Sequence, residues 1–279
     1  MHIRNLVCFV FLTLFVNSVQ SQRAYEMKME GPSICRGCIY PSDKYHEGMF
    51  PFKNDGLWGF KNSRGNIVIP CLYNMVSDFN QGFAAVNKNG KWGYINKSGD
   101  IIVDFLYENV QLFIDSLAAV KNTGKWGFID KNGIVKVPFM YDTVRPFCNG
   151  FAAVKFQNID GNKLWGFINR KGELNVLNSY FETYDFSDGY AAVQKEGKWG
   201  FVDKQGKEVV PLKYKKVSSF HEGLVAVKLD EFYGYIDKSD NVLIPFKYYF
   251  AEDFRGGKAD VGYKYKIRTI NKKGEFIKR

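Results

Sequence analysis

The sequence predicts an all-β chain built as a tandem array of one short unit, and three observations carry that prediction. Trp-Gly returns at Trp58, Trp92, Trp126, Trp165 and Trp199, with Tyr233-Gly234 as a sixth copy, at spacings of 34, 34, 39, 34 and 34 residues. A period this regular means one supersecondary unit copied and stacked. Within each unit lie three apolar runs of four to six residues, too short for helices and rich in β-branched and aromatic side chains. Gly and Pro interrupt the units, which excludes the paired-helix repeats that share this period.

Each unit opens on Gly48, Gly82, Ser116, Gly150, Gly189 or Gly223. A first strand follows, as in Phe83-Ala84-Ala85-Val86 and Tyr190-Ala191-Ala192-Val193, and a turn such as Asn89-Gly90 or Glu196-Gly197 leads to the tryptophan strand. In that strand Trp92 and Tyr94 face one way, Gly93 and Ile95 the other; both faces are apolar or bare, so this is the buried centre of its unit. Four residues after the aromatic stands Asn62, Asn96, Asp130, Asn169, Asp203, Asp237 or Asn271. Three further on stands Gly65, Gly99, Gly133, Gly172, Gly206 or Gly274, with Asp240 as the exception. Asx bonds its own downstream backbone and Gly accepts positive φ, so this is a tight turn. The third strand runs through segments such as Ile67-Val68-Ile69 and is expected to stop at Pro70, Pro138, Pro211 and Pro245. Beyond it, Tyr73, Tyr107, Tyr141, Tyr180, Tyr214 and Tyr248, then Phe79, Phe113, Phe147, Phe186, Phe220 and Phe254, mark a connection packed against the next unit.

These residues resemble the WG (KWG) repeat proteins of bacteria, with Gly124-Lys125-Trp126-Gly127-Phe128-Ile129-Asp130-Lys131-Asn132-Gly133 closest to the shared pattern. The resemblance runs from Gly48 to about Lys278 and implies an all-β tandem array of binding type with no catalytic residues to carry over. The chain departs from the pattern at Tyr233, Asp104, Leu177 and Ile267-Arg268. The last copy therefore reads as a degenerate terminal cap. Three strands in 34 residues fall short of a propeller blade, so the expected architecture is an open solenoid of about 34-residue three-stranded antiparallel meanders, with propeller-like closure as the alternative.

Outside the array, residues 1–21 read as a signal peptide: Arg4, then an apolar run from Leu6 to Val16, then Ser21 as the cleavage position. Eleven residues are too few for a spanning helix, which needs roughly 20, so no membrane span is expected in the mature chain. The product is expected to be exported, whether periplasmic, cell-envelope associated or secreted. Residues 22–47 form an N-terminal segment whose Cys35 and Cys38 are the candidate disulfide, with Cys71 and Cys148 expected to be reduced or only weakly reactive. Residues 48–279 hold six full copies and the degenerate seventh.

Chemistry is sparse. The mature chain has only His46 and His221, on different repeats, so neither a triad nor a metal site is expected, and no cofactor. Trp58, Trp92, Trp126, Trp165, Trp199 and Tyr233 are assigned to the core rather than to a ligand platform. Lys97, Lys131, Arg170, Lys204, Lys238 and Lys272 recur five residues after the aromatic and form a candidate basic ridge in a chain of net charge +10. The expected function is a non-enzymatic scaffold for a protein partner. The alternative is a binder of envelope polysaccharide or other polyanions, through these lysines or through aromatics.

Overall fold

The computed structural model describes residues 44–278. The expected signal at 1–21 and the Cys35–Cys38 pair lie outside the described residues. The described chain is all β, arranged as seven antiparallel sheets in succession. The first holds Met49–Asn54, Leu57–Asn62 and Ile67–Tyr73. Each later sheet has four strands whose spatial order follows the chain, as in Met75–Val76, Phe83–Lys88, Lys91–Asn96 and Ile101–Tyr107.

The expected count of three strands per unit is therefore one short. The extra strand is two residues long, lies inside the expected connection, and belongs to the following sheet: Met75 and Val76 pair with Asn87 and Val86. Asn109–Val110, Thr143–Val144, Glu182–Thr183, Lys216–Val217 and Phe250–Ala251 repeat it. Two residues carry no alternation to detect; pairing with the next strand creates them.

Proline does not end the third strand. Trp58 pairs with Tyr73 but Phe60 pairs with Ile69, so Pro70, Cys71 and Leu72 all lie opposite Gly59. The strand carries a wide bulge and continues to the tyrosine, which is its last residue rather than the start of a connection. Proline, lacking an N–H, sits where the ladder is already interrupted. The bulge also explains the glycine. A Cβ on Gly93 would stand 2.4 Å from the carbonyl oxygen of Val103, and one on Gly200 2.5 Å from that of Val210. What presses on the bare backbone is chiefly the bulged strand's own main chain.

The Asx turn forms as expected in all seven copies. In Asp130 the Oδ1 accepts the N–H groups of Asn132 and Ile134 at 2.9 and 3.0 Å. Asn62, Asn96, Asn169, Asp203, Asp237 and Asn271 accept the same pair of amides. The five additional residues of the fourth unit lengthen one hairpin, between Phe151–Gln157 and Lys163–Asn169, and leave its sheet unaltered.

Six apolar cores hold the array together, each drawn from two consecutive sheets. Between the third and fourth sheets, for example, Phe128, Val137, Tyr141 and Phe147 meet Ala152, Val154 and Ile168. The recurrent phenylalanine is the centre of each. Phe147 meets Phe128 edge-on at 4.8 Å, and Phe220 meets Phe201 at the same distance. The Phe positions are thus the inter-repeat contacts the spacing predicts. No core among the described residues joins the first sheet to the seventh, and the array is open. In the seventh sheet Asp260 stands where sheets two to six have alanine, and accepts the Thr269 hydroxyl at 2.6 Å; this polar pair finishes the last face.

Candidate functional site

The tryptophans are structural. Trp92, Trp165 and Trp199 are buried, and Trp58, Trp126 and Tyr233 are half-buried against their cores. Each pairs across the sheet with the tyrosine that ends the bulged strand.

The candidate basic ridge is interrupted by carboxylates from the preceding sheet. Lys97 meets Glu47 at 3.2 Å, Arg170 meets Asp115 at 3.1 Å, and Lys272 meets Glu222 at 3.0 Å. Lys131 and Lys204 lie over the rings of Phe83 and Phe151, and Lys238 is exposed beside Asp237. The six are brought to equivalent turns, but half of them serve inter-sheet ion pairs.

Those carboxylates belong to a left-handed residue just before the repeat-opening Gly48, Ser116 or Gly223, with φ of 52° at Glu47, 53° at Asp115 and 53° at Glu222. There the side chain reaches the next sheet's turn, where Glu47 accepts the Gly82 N–H and Glu222 the Gly257 N–H, both at 3.0 Å. The preceding histidines follow the same geometry: His46 meets Asp78 at 3.4 Å and His221 meets Asp253 at 3.3 Å. The sequence His-Glu-Gly thus clamps the first interface, between sheets one and two, and the last, between sheets six and seven. Partial burial pushes the Glu47 carboxyl up, but Lys97 and the turn amides outweigh it and hold it below the ordinary 4.5. At Glu222 the Lys272 ammonium and the Gly257 amide do the same. A carboxyl whose folded pKa is depressed contributes stability above its unfolded value and loses it as pH falls through the folded one. Glu47→Gln with Glu222→Gln should therefore lower the melting temperature at neutral pH and flatten its decline between about pH 5 and pH 3. Calorimetry that gives parallel declines for parent and variant would remove these carboxylates from the acid response.

A repeated set of exposed apolar side chains lies on the bulged edge strands. Ile67 and Leu72, Ile101 and Leu106, and Val135 and Met140 occupy the same two positions of sheets one to three, each between 45% and 60% exposed. Leu174 and Leu177 extend the strip onto the fourth sheet. At the position of Leu72, Leu106 and Met140 the later sheets carry Lys213 and Lys247. Sequence reasoning missed this strip because it took the bulge as a strand end; the change from Leu, Leu and Met to Lys and Lys at one repeat position was the signal available.

A cleft of about 570 Å³ on the first sheet is lined by Phe52, Lys53, Asn54, Lys61, Ile67, Pro70 and Cys71. The Lys61 ammonium lies 4.3 Å over the Phe52 ring, and the free Cys71 thiol faces the Phe52 carbonyl. Cys148, expected to be reduced, is instead disulfide-bonded, with a partner outside the described residues. It is half-buried and bridges to Phe151 in the turn before that strand. Among the described residues no group of three or more His, Cys, Asp or Glu is placed to hold a metal ion, and no helix is long and apolar enough to cross a membrane.

The curated proteins contain no match to this chain. Among solved structures it is similar to the AfRom2 CNH domain, at 8% identity and a TM-score of 0.34 over 81% of this chain and 90% of that one. A putative TolB from Agrobacterium tumefaciens gives 9% and 0.32 over 58% and 76%, and the WD40 domain of SCAP from fission yeast gives 12% and 0.28 over 83% and 68%. The WG-containing repeat matches six times, at residues 58–92, 92–126, 126–158, 165–199, 199–231 and 233–266, each running from the tryptophan or Tyr233 strand of one sheet into the next sheet. The chain belongs to the WG-containing-repeat family.

Proposed function

We propose that this chain is an exported, non-catalytic scaffold that docks a protein partner along the apolar edge of its first four sheets. The observation that carries the reading is the strip of Ile67, Leu72, Ile101, Leu106, Val135 and Met140. Large apolar side chains stand half-exposed at two repeated positions of three successive sheets. Exposed apolar side chains grouped this way mark an interaction site. Export rests on the apolar run Leu6 to Val16 and its flanks. The reading as a polyanion-binding ridge is weakened by the carboxylates that hold Lys97, Arg170 and Lys272.

Leu72→Lys, Leu106→Lys and Met140→Lys together test the docking edge. Lys213 and Lys247 already occupy this position in later sheets, so the fold should tolerate the change within about 0.5 kcal/mol per site. Affinity capture from the chain's own cell envelope should retrieve a specific protein with the parent and lose it with the triple variant. Equal capture by both would end the proposal.

A further inference from the structure

The seventh sheet carries a second exposed feature of different chemistry. Phe232, Tyr249 and Tyr265 form a contiguous row of rings across sheets six and seven, with centroids 5.3 and 6.1 Å apart. Tyr249 and Tyr265 lie within 20° of parallel. Exposure climbs along the row from 37% to 50% to 95%, so the face of Tyr265 turned away from Tyr249 is open to solvent. A ring held only for packing would be buried; this one removes almost nothing from water.

The backbone beneath Tyr265 is also unusual. Lys264 and Tyr265 form a two-residue hairpin turn with φ of 46° and 61°, both left-handed. In the equivalent turns of sheets one, two, three and five the second position is Gly56, Gly90, Gly124 or Gly197, which meets that requirement without strain. A bulky side chain there is a true outlier, and within the fold it gains only the stack on Tyr249 while staying 95% exposed. The charge around it is one-sided as well. Residues 255–278 hold eight Lys or Arg, of which Lys272 is paired with Glu222, against two Asp or Glu, Asp260 and Glu275. Lys264 and Lys266 flank Tyr265 directly.

We infer that this end of the array is a binding platform for single-stranded nucleic acid, with a base continuing the stack on the open face of Tyr265 and backbone phosphates on Lys264 and Lys266. An open π face on the outer ring of the stacked Tyr249–Tyr265 pair, beside ammonium groups, suits a ligand that is both planar and anionic, as an unpaired nucleotide strand is. A duplex hides its base faces. An acidic polysaccharide supplies the charge without a planar ring.

The test is fluorescence anisotropy of a labelled oligothymidylate of about twelve nucleotides with the full chain, competed by a duplex and by polygalacturonate. Tyr265→Gly restores the residue the other turns use, so its unfolding midpoint should hold or rise while affinity falls about tenfold. Lys264→Gln with Lys266→Gln should reduce the slope of log affinity against log salt by about 1.4. Unchanged affinity in Tyr265→Gly, no binding by the parent, or equal displacement by polygalacturonate or duplex at matched charge would each overturn the inference.

Discussion

Gly127→Ala is expected to destabilise the protein by about 3 kcal/mol, the upper end of what overpacking costs. The new methyl would stand 2.6 Å from the Val137 carbonyl oxygen and 3.0 Å from the Pro138 carbonyl carbon. Both are main-chain atoms of the bulged strand, so no side-chain rotation relieves the contact, and the strand must lift from its neighbour. Urea denaturation of the purified variant measures the loss. A change below about 1 kcal/mol would mean that the bulge yields and that glycine is not a steric requirement.

Phe147→Ala should cost about 3–5 kcal/mol. The ring is fully buried, packs edge-on against Phe128, and sits where the third and fourth sheets meet. Its removal should open that one interface while leaving its neighbours closed, because each core is shared by only two sheets. Hydrogen exchange should show lost protection concentrated in Leu117–Asn122, Lys125–Asp130, Phe151–Gln157 and Lys163–Asn169. Loss spread evenly over all seven sheets would show that the array unfolds as a single unit.

Features that repeat as residue types were legible in the sequence. The Asx turn could be read because the side chain that builds it is the one that recurs, from Asn62 to Asn271. The inter-sheet phenylalanines could be read because a large ring at one spacing in a connection must be buried somewhere. Features defined by pairing were not. Met75–Val76 is a strand only because Asn87 and Val86 lie beside it. Pro70 reads as a terminator until Trp58 and Phe60 are seen to pair four residues apart on the neighbouring strand. The candidate site divided the same way. The lysine positions were visible, but their carboxylate partners lie 50 or 55 residues upstream, as with Glu47 and Lys97 or Asp115 and Arg170, and are brought close only by stacking. The apolar edge was hidden because Leu72, Leu106 and Met140 were assigned to the wrong side of a strand end, away from Ile67, Ile101 and Val135.

Since each core draws on two neighbouring sheets and no further, the array's length is a property that recombination can change without redesign. An in-frame crossover between two copies, cut at equivalent turns, deletes or duplicates one sheet and rebuilds the junction from residues of the same kind, a tryptophan strand and its phenylalanine on one side and an Ala-Ala-Val strand on the other. The two His-Glu-Gly turns sit at the first and last junctions, so copies gained or lost between them leave both ends as they were. What changes is reach. The docking edge and the aromatic platform lie toward opposite ends of the stack, and the number of sheets between them sets how far apart two bound molecules would be held.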